Sequence, residues 1–199
     1  MVNEGPRTTG DVPVGSPGTC LVILRGNSGS GKSTIARAVR DRYGRGCALV
    51  EQDYLRRTVL RERDVPGGNA AALIEHVVRF ALDVGYHVIC EGILHGSRYG
   101  PMLTRLAHAH RGATTVFYLD VPFDETLRRH TGRPQAREFT PDDMRGWYVP
   151  HDLLGIPGEQ VIDGSKSLDD AVGLVAAHLP PIATPLPVAN GREEWRPRT

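Results

Sequence analysis

Cys20-Leu-Val-Ile-Leu-Arg-Gly26-Asn-Ser-Gly-Ser-Gly31-Lys32-Ser33-Thr34 is the stretch that decides the fold. An apolar run enters a glycine-rich turn of the form G-x-x-x-x-G-K-[ST], and helical periodicity begins at Ser33. Strand, glycine turn and helix in this order make a phosphate-binding loop. Its backbone N–H groups and helix N-terminus face a polyphosphate, its lysine reaches the β- and γ-phosphates, and the following hydroxyl serves Mg²⁺. Gly26, Asn27, Ser28, Gly29, Ser30, Gly31, Lys32, Ser33 and Thr34 are therefore the candidate nucleotide-binding residues. Composition sharpens this reading, because the chain has 22 arginines but only two lysines, Lys32 and Lys166. A slender ammonium can slide along a wrapped loop to the phosphates, whereas a planar guanidinium replaces it poorly.

The 199 residues suit one domain with a substantial core. A net charge of +1 argues against a protein that binds nucleic acid through bulk electrostatics. Cys20, Cys47 and Cys90 lack metal-ligand spacing and lie in or beside apolar runs, as reduced thiols of a cytoplasmic protein do. No apolar stretch has the length of a membrane span, and no signal-peptide pattern opens the chain. Residues 1–18 and 180–199 are rich in Gly, Pro and polar residues and are expected to be loose tails around a domain spanning residues 19–179.

Within that domain, apolar runs alternate with helical patterns. Strands are expected at 20–25, 47–51, 86–91, 114–120 and 160–162. Helices are expected at 33–43, from an N-cap at Asn69 to about Asp83, at 98–110, from Phe123 to about His130, and at 168–179. A further short helix should start at Thr140-Pro141-Asp142-Asp143, an N-cap, an N1 proline and two first-turn acids. The alternation implies an α/β fold with helices covering a parallel sheet, whose ligands gather at the carboxyl ends of the strands.

The loops at those ends carry the remaining chemistry. Asp53 follows the second strand, 21 residues after Lys32, where a carboxylate could take a proton from an acceptor hydroxyl or help order Mg²⁺. Helix capping is the alternative use of an aspartate there. Glu91 closes Val88-Ile89-Cys90-Glu91-Gly92, an apolar strand ending on an acid, and is suited to hold a Mg²⁺-bound water or an acceptor group. Arg56, Arg57, Arg61 and Arg63 follow Asp53 and are candidate acceptor contacts or a solvated helix face. Arg128, Arg129, Arg133, Arg137 and Arg145 form an arginine-dense stretch that could close as a lid, about 131–150, over a γ-phosphate. No N-K-x-D base reader of a GTPase is present.

On these residues the chain resembles the small P-loop kinases of the nucleotide-kinase-like group, an AAA-type kinase domain, from about Cys20 to Leu179. It is most similar in layout to chloramphenicol phosphotransferases and zeta-toxin kinases. The resemblance implies a three-layer fold with a five-stranded parallel sheet in the order 2-3-1-4-5 and a small arginine-rich lid. It implies ATP and Mg²⁺ as cofactors, Asp53 as the base toward an acceptor hydroxyl, and Lys32, Arg129 and Arg133 as catalytic residues. Arg129 could stack on adenine, and the loop at Ser165 and Lys166 would contact the base. Ser33, Glu91 (through water) and Asp53 would serve the metal; Asp53, Arg56, Arg57 and Glu91 would meet the acceptor. The expected activity is transfer of the γ-phosphate of ATP to a hydroxyl of an antibiotic, nucleoside or sugar. A polynucleotide 5′-hydroxyl kinase and a toxin-like kinase with a protein antitoxin partner are the alternatives. A monomer and a homodimer both suit the sequence.

Overall fold

β1 (Cys20–Gly26) is buried along its whole length because it lies in the middle of a sheet covered on both faces. The structure, a computed structural model, describes residues 12–131 and 139–180. β1 pairs in parallel with β3 (His87–Gly92) on one side and β4 (Ala113–Asp120) on the other. β2 (Cys47–Glu51) extends the sheet beyond β3, and β5 (Gln160–Asp163) extends it beyond β4. The order is 2-3-1-4-5 and every pairing is parallel, as the resemblance implied. Each strand lies within about one residue of its sequence reading, since strands buried on both faces are near-continuous apolar runs.

Side chains of β1 alternate between two cores. Leu21 and Ile23 pack toward α2 (Ala70–Asp83) and α3 (Gly96–Ala109), with Ile74, Val78, Leu82, Leu103 and Leu106. Cys20, Val22 and Leu24 pack toward α1 (Lys32–Tyr43) and α6 (Leu168–Ala176), with Ile35, Val39, Val172 and Val175. α4 (Phe123–His130) and α5 (Pro141–Trp147) lie beyond β4, and α5 starts with the Thr140–Asp143 capping box its sequence announces.

Four expectations need correction. Residues 12–18 are not loose: Val14 is buried, and its backbone exchanges hydrogen bonds with Ala109 and Arg111. Apolar burial of a single valine and an isolated bridge to His110 at the end of α3 order a segment whose composition looks like a linker. At the other end, the Pro180 carbonyl accepts hydrogen bonds from Tyr43 and His87. The expected tails at 1–11 and 181–199 lie outside the described residues. Asn69 stands at the N-cap of α2, yet its side chain donates to Glu62 instead of capping, because that carboxylate faces both its amide groups. Asp53 does not cap either: Gln52 and Asp53 are already helical, and Tyr54–Val59 continues as a π-helical turn.

At its carboxyl end β1 turns polar. Arg25, fully buried on the face of Leu21 and Ile23, donates to the Leu94 carbonyl from Nε (3.0 Å) and Nη2 (2.9 Å). It also pairs with Asp152 (2.8 Å) and Glu159 (3.4 Å), joining β1, the loop after β3 and the segment after α5. A guanidinium satisfied in this way is tolerated in a core, and its loss strands two acids. Arg25→Ala is expected to destabilise the fold by about 3–5 kcal/mol. Urea unfolding monitored by circular dichroism checks this; an unchanged midpoint would contradict it.

Candidate active site

Between β1 and α1 the chain wraps a cradle. Ser30 N–H donates to the Asn27 carbonyl, and Gly31 stands at the N-cap of α1 with φ 103°, a left-handed conformation that suits glycine. Gly29 is also left-handed (φ 83°), and a Cβ there would lie 2.7 Å from the Thr126 carbonyl oxygen. α4 therefore packs directly over the loop, which only glycine permits. Ser30 Oγ is buried within the loop and without a hydrogen-bond partner, so the cradle holds an unsatisfied polar group. Lys32 is buried, and its Nζ donates to the Asn27 carbonyl at 3.2 Å.

Glu91 meets this cradle from the neighbouring strand. β1 and β3 align Leu24 with Glu91, and β2 and β3 align Glu51 with Glu91. Ser33 Oγ donates to Glu91 Oε2 at 3.1 Å. Burial pushes the Glu91 carboxyl up from its ordinary range; Lys32 and the Ser33 hydroxyl pull it back, and Glu51 and Asp53 push it further. A buried carboxylate with acidic neighbours is a site that gains from a cation. Ser33 and Glu91 offer hard oxygen donors, which suit Mg²⁺ bound chiefly through phosphates, water and one or two carboxylates.

Asp53 stands one residue beyond the buried Gln52, on the exposed side of the site. Its Oδ1 accepts from Arg56 Nη2 at 2.8 Å. Arg56, an expected acceptor contact, donates to Asp53 and, from Nη1, to the Glu62 carbonyl. Arg57, the other expected contact, lies over the Phe139 ring at 5.3 Å. Both arginines thus have partners within the chain, because a short π-helical turn places acid and aromatic groups within their reach.

A cavity of about 230 Å³ opens on the other side of the loop. Its apolar wall comes from Ile35, Leu119, Val121 and Ile162, and its rim includes Thr34, Arg129 and Lys166. Arg129 donates to the Ser30 carbonyl (3.0 Å), to the Gly164 carbonyl (2.7 Å) and to Glu125 (2.6 Å). It ties the phosphate loop to the loop after β5. Ser165 and Lys166 belong to that loop, which Asp163 shapes by accepting from Ser165 N–H and by its carbonyl accepting from Lys166 N–H. Arg128 pairs with Glu125 on the surface, and Arg145 lies over Phe123 at 4.6 Å. Arg133 and Arg137 lie outside the described residues.

Three long-range contacts at the site escaped the sequence reading, one of them made by Asn27, which the sequence identifies only as a residue of the phosphate loop. The Asn27 side chain makes a two-pronged pair with the Val149 backbone: Nδ2 donates to its carbonyl (2.8 Å), and Oδ1 accepts from its N–H (3.0 Å). Gln52 accepts from Leu94 N–H and so joins the ends of β2 and β3. Asp152 accepts from Arg25 and from Gly96 N–H at the start of α3. Only Arg25, a charge inside an apolar strand, left a local signal, and it named no partner.

The family model described as an AAA domain matches residues 21–145. Among solved structures, the APS kinase of Mycobacterium tuberculosis in complex with AMPPNP and APS is similar with a TM-score of 0.62 at 20% identity, over 84% of this chain and 98% of that one. A gluconokinase from Sinorhizobium meliloti 1021 gives a TM-score of 0.58 at 18% identity, over 83% and 93% of the two chains. A sugar kinase from Janibacter sp. HTCC2649 gives 0.62 at 20% identity, over 83% and 96%. At these identities the likeness is one of fold, that of the three-layer P-loop kinases. No curated protein matches the sequence.

Glu91→Gln separates the stability of the site from its use. A raised carboxyl pKa means that the folded state favours the protonated acid, so the contribution of Glu91 to stability is present in acid and lost as pH rises through its folded value. The glutamine can still accept from Ser33. The variant is expected to melt higher than the wild type at pH 8, with the difference shrinking as the pH falls through the raised folded value of the carboxyl. Thermal unfolding across that range checks it, and a lower melting temperature at pH 8 would contradict it.

Proposed function

We propose that this chain, which belongs to the AAA domain family, is an ATP-dependent kinase that phosphorylates a hydroxyl of a small-molecule acceptor. The observation that carries the proposal is the Ser33–Glu91 hydrogen bond beside Lys32, which joins a phosphate loop to a buried strand-end carboxylate. Asp53, at the end of the adjacent strand, supplies the remaining group such a transfer needs.

In this reading the nucleotide's base occupies the cavity between Ile35, Val121 and the Gly164–Lys166 loop, and the triphosphate lies along Gly26–Thr34. Arg129 holds the two loops that flank the base in fixed relation. The Lys32 ammonium exchanges the Asn27 carbonyl for phosphate oxygens, a charge-assisted gain over a neutral acceptor. Mg²⁺, held by Ser33 and through water by Glu91, would neutralise charge on the β- and γ-phosphates. The acceptor oxygen forms a bond to the γ-phosphorus as the bond to the β–γ bridging oxygen breaks, and ADP leaves. Asp53 takes the hydroxyl proton, with Arg56 fixing the carboxylate's orientation. ATP and three buried free thiols suit a cytoplasmic location. An oligonucleotide acceptor is less favoured, because Arg56 and Arg57 have partners within the chain.

Asp53→Asn should retain ATP binding and lose about two to four orders of magnitude in acceptor phosphorylation. Transfer of γ-labelled phosphate measured beside nucleotide binding checks this; wild-type turnover by Asp53→Asn would remove the base assignment. Lys32→Ala should lose both tight nucleotide binding and transfer, and full turnover in that variant would end the kinase reading altogether.

A further inference from the structure

Resting on the kinase reading, we infer that residues 147–154 form the acceptor-selecting wall of the site and that this wall takes an uncharged hydroxyl compound with an apolar face. The backbone of the segment is fastened and its apolar side chains are left outside. Asn27 holds both backbone groups of Val149, and the Tyr118 hydroxyl donates to the same carbonyl at 3.2 Å. Arg25 holds Asp152 through its carbonyl (2.7 Å) and its carboxylate (2.8 Å), and Glu159 accepts from the N–H groups of Leu154 and Gly155. Trp147 (40% exposed), Val149 (40%) and Leu153 (47%) nonetheless face solvent. A segment whose backbone is fastened to the phosphate loop at Val149, and which still exposes three large apolar groups, presents a surface for a ligand.

The segment is joined to the acceptor side at both ends. Trp147 packs edge-on against Phe139, over which Arg57 of the π-helical turn lies. Arg25 also binds the Leu94 carbonyl, and Leu94 N–H donates to Gln52, the residue before Asp53. Tyr54, 57% exposed, follows Asp53 and adds a further aromatic face.

The cations fastened into and beside this wall do not favour an anionic acceptor. Arg25 is committed to Asp152 and Glu159, Arg56 to Asp53, and Arg98 to Asp64. An anion seeking any of these cations must displace an internal carboxylate. It would also lie near Asp53, Glu91 and the γ-phosphate, all of one sign. A neutral hydroxyl compound meets no such opposition and gains from apolar contact.

The test uses the full chain with γ-labelled ATP and three sets of acceptors. Phenyl β-glucoside, uridine and chloramphenicol are neutral with an apolar or aromatic face; glucose is neutral without one; gluconate and a 5′-hydroxyl oligonucleotide are anionic. Transfer should favour a member of the first set over glucose and over both anions by at least about tenfold in kcat/KM. Val149→Asp and Leu153→Asp alter only exposed side chains, and each should raise that acceptor's KM about tenfold while kcat and the KM for ATP hold. Preference for gluconate or the oligonucleotide, or an acceptor KM unmoved in both variants, overturns the inference and leaves the kinase reading standing. Failure to phosphorylate any of the six compounds, in protein that binds AMPPNP, overturns the kinase reading instead.

Discussion

Glu91 is a carboxylate held almost out of water at the top of the sheet, and the loops around it are arranged by what that charge requires. Its strand lies between β1 and β2, so the phosphate loop and the Asp53 turn flank it on opposite sides. Ser33 and Lys32 answer it from one side, while Glu51 and Asp53 oppose it from the other. Left to itself such a site is costly, because desolvation disfavours the ionised acid. Functional sites carry this kind of local instability where ligand binding offsets it. In the proposed kinase, a nucleotide with its cation would bring positive charge to the carboxylates and negative charge to the loop's N–H groups and Lys32.

β1, the strand beside that of Glu91, also fastens the segment after α5. Gly26 begins the phosphate loop, while Arg25 and Asn27, on either side of it, fasten the segment after α5 by its backbone and its acids. Arg25 and Asn27, one on each side of the last residue of β1, thus tie the phosphate loop to the segment after α5. Movement of either relative to the other would break hydrogen bonds to a fully buried guanidinium. This economy is mechanical as well as chemical: near-attack geometry demands that two ligands be held in fixed relation.

Much of this was legible in the sequence. The five strands show because central parallel strands are uninterrupted apolar runs, and the phosphate loop shows because its spacing is itself a geometry. Glu91 showed as an acid closing such a run. What did not show are pairings across the chain: Asn27 with Val149 and Arg25 with Asp152 are separated by 122 and 127 residues. No local period records them. The arginines illustrate the same limit. Arg56 and Arg57 could be read by position as acceptor contacts or as a solvated face, and their contacts with Asp53 and the Phe139 ring were not legible. Arg129, read as a lid residue that could stack on adenine, ties two backbone loops together at the cavity's edge. Val14 made an ordered edge out of a segment that composition alone describes as a tail.

The central claim is that Ser33 and Glu91 jointly cradle the cation of a bound nucleotide. A crystal structure of the protein with AMPPNP and Mn²⁺ tests it most directly, through the anomalous signal of the metal. The account predicts one strong peak within coordination distance of Ser33 Oγ, with Glu91 reached through a metal-bound water. A nucleotide bound along Gly26–Thr34 with its metal elsewhere, or a Glu91 side chain still hydrogen-bonded only to Ser33, would contradict it.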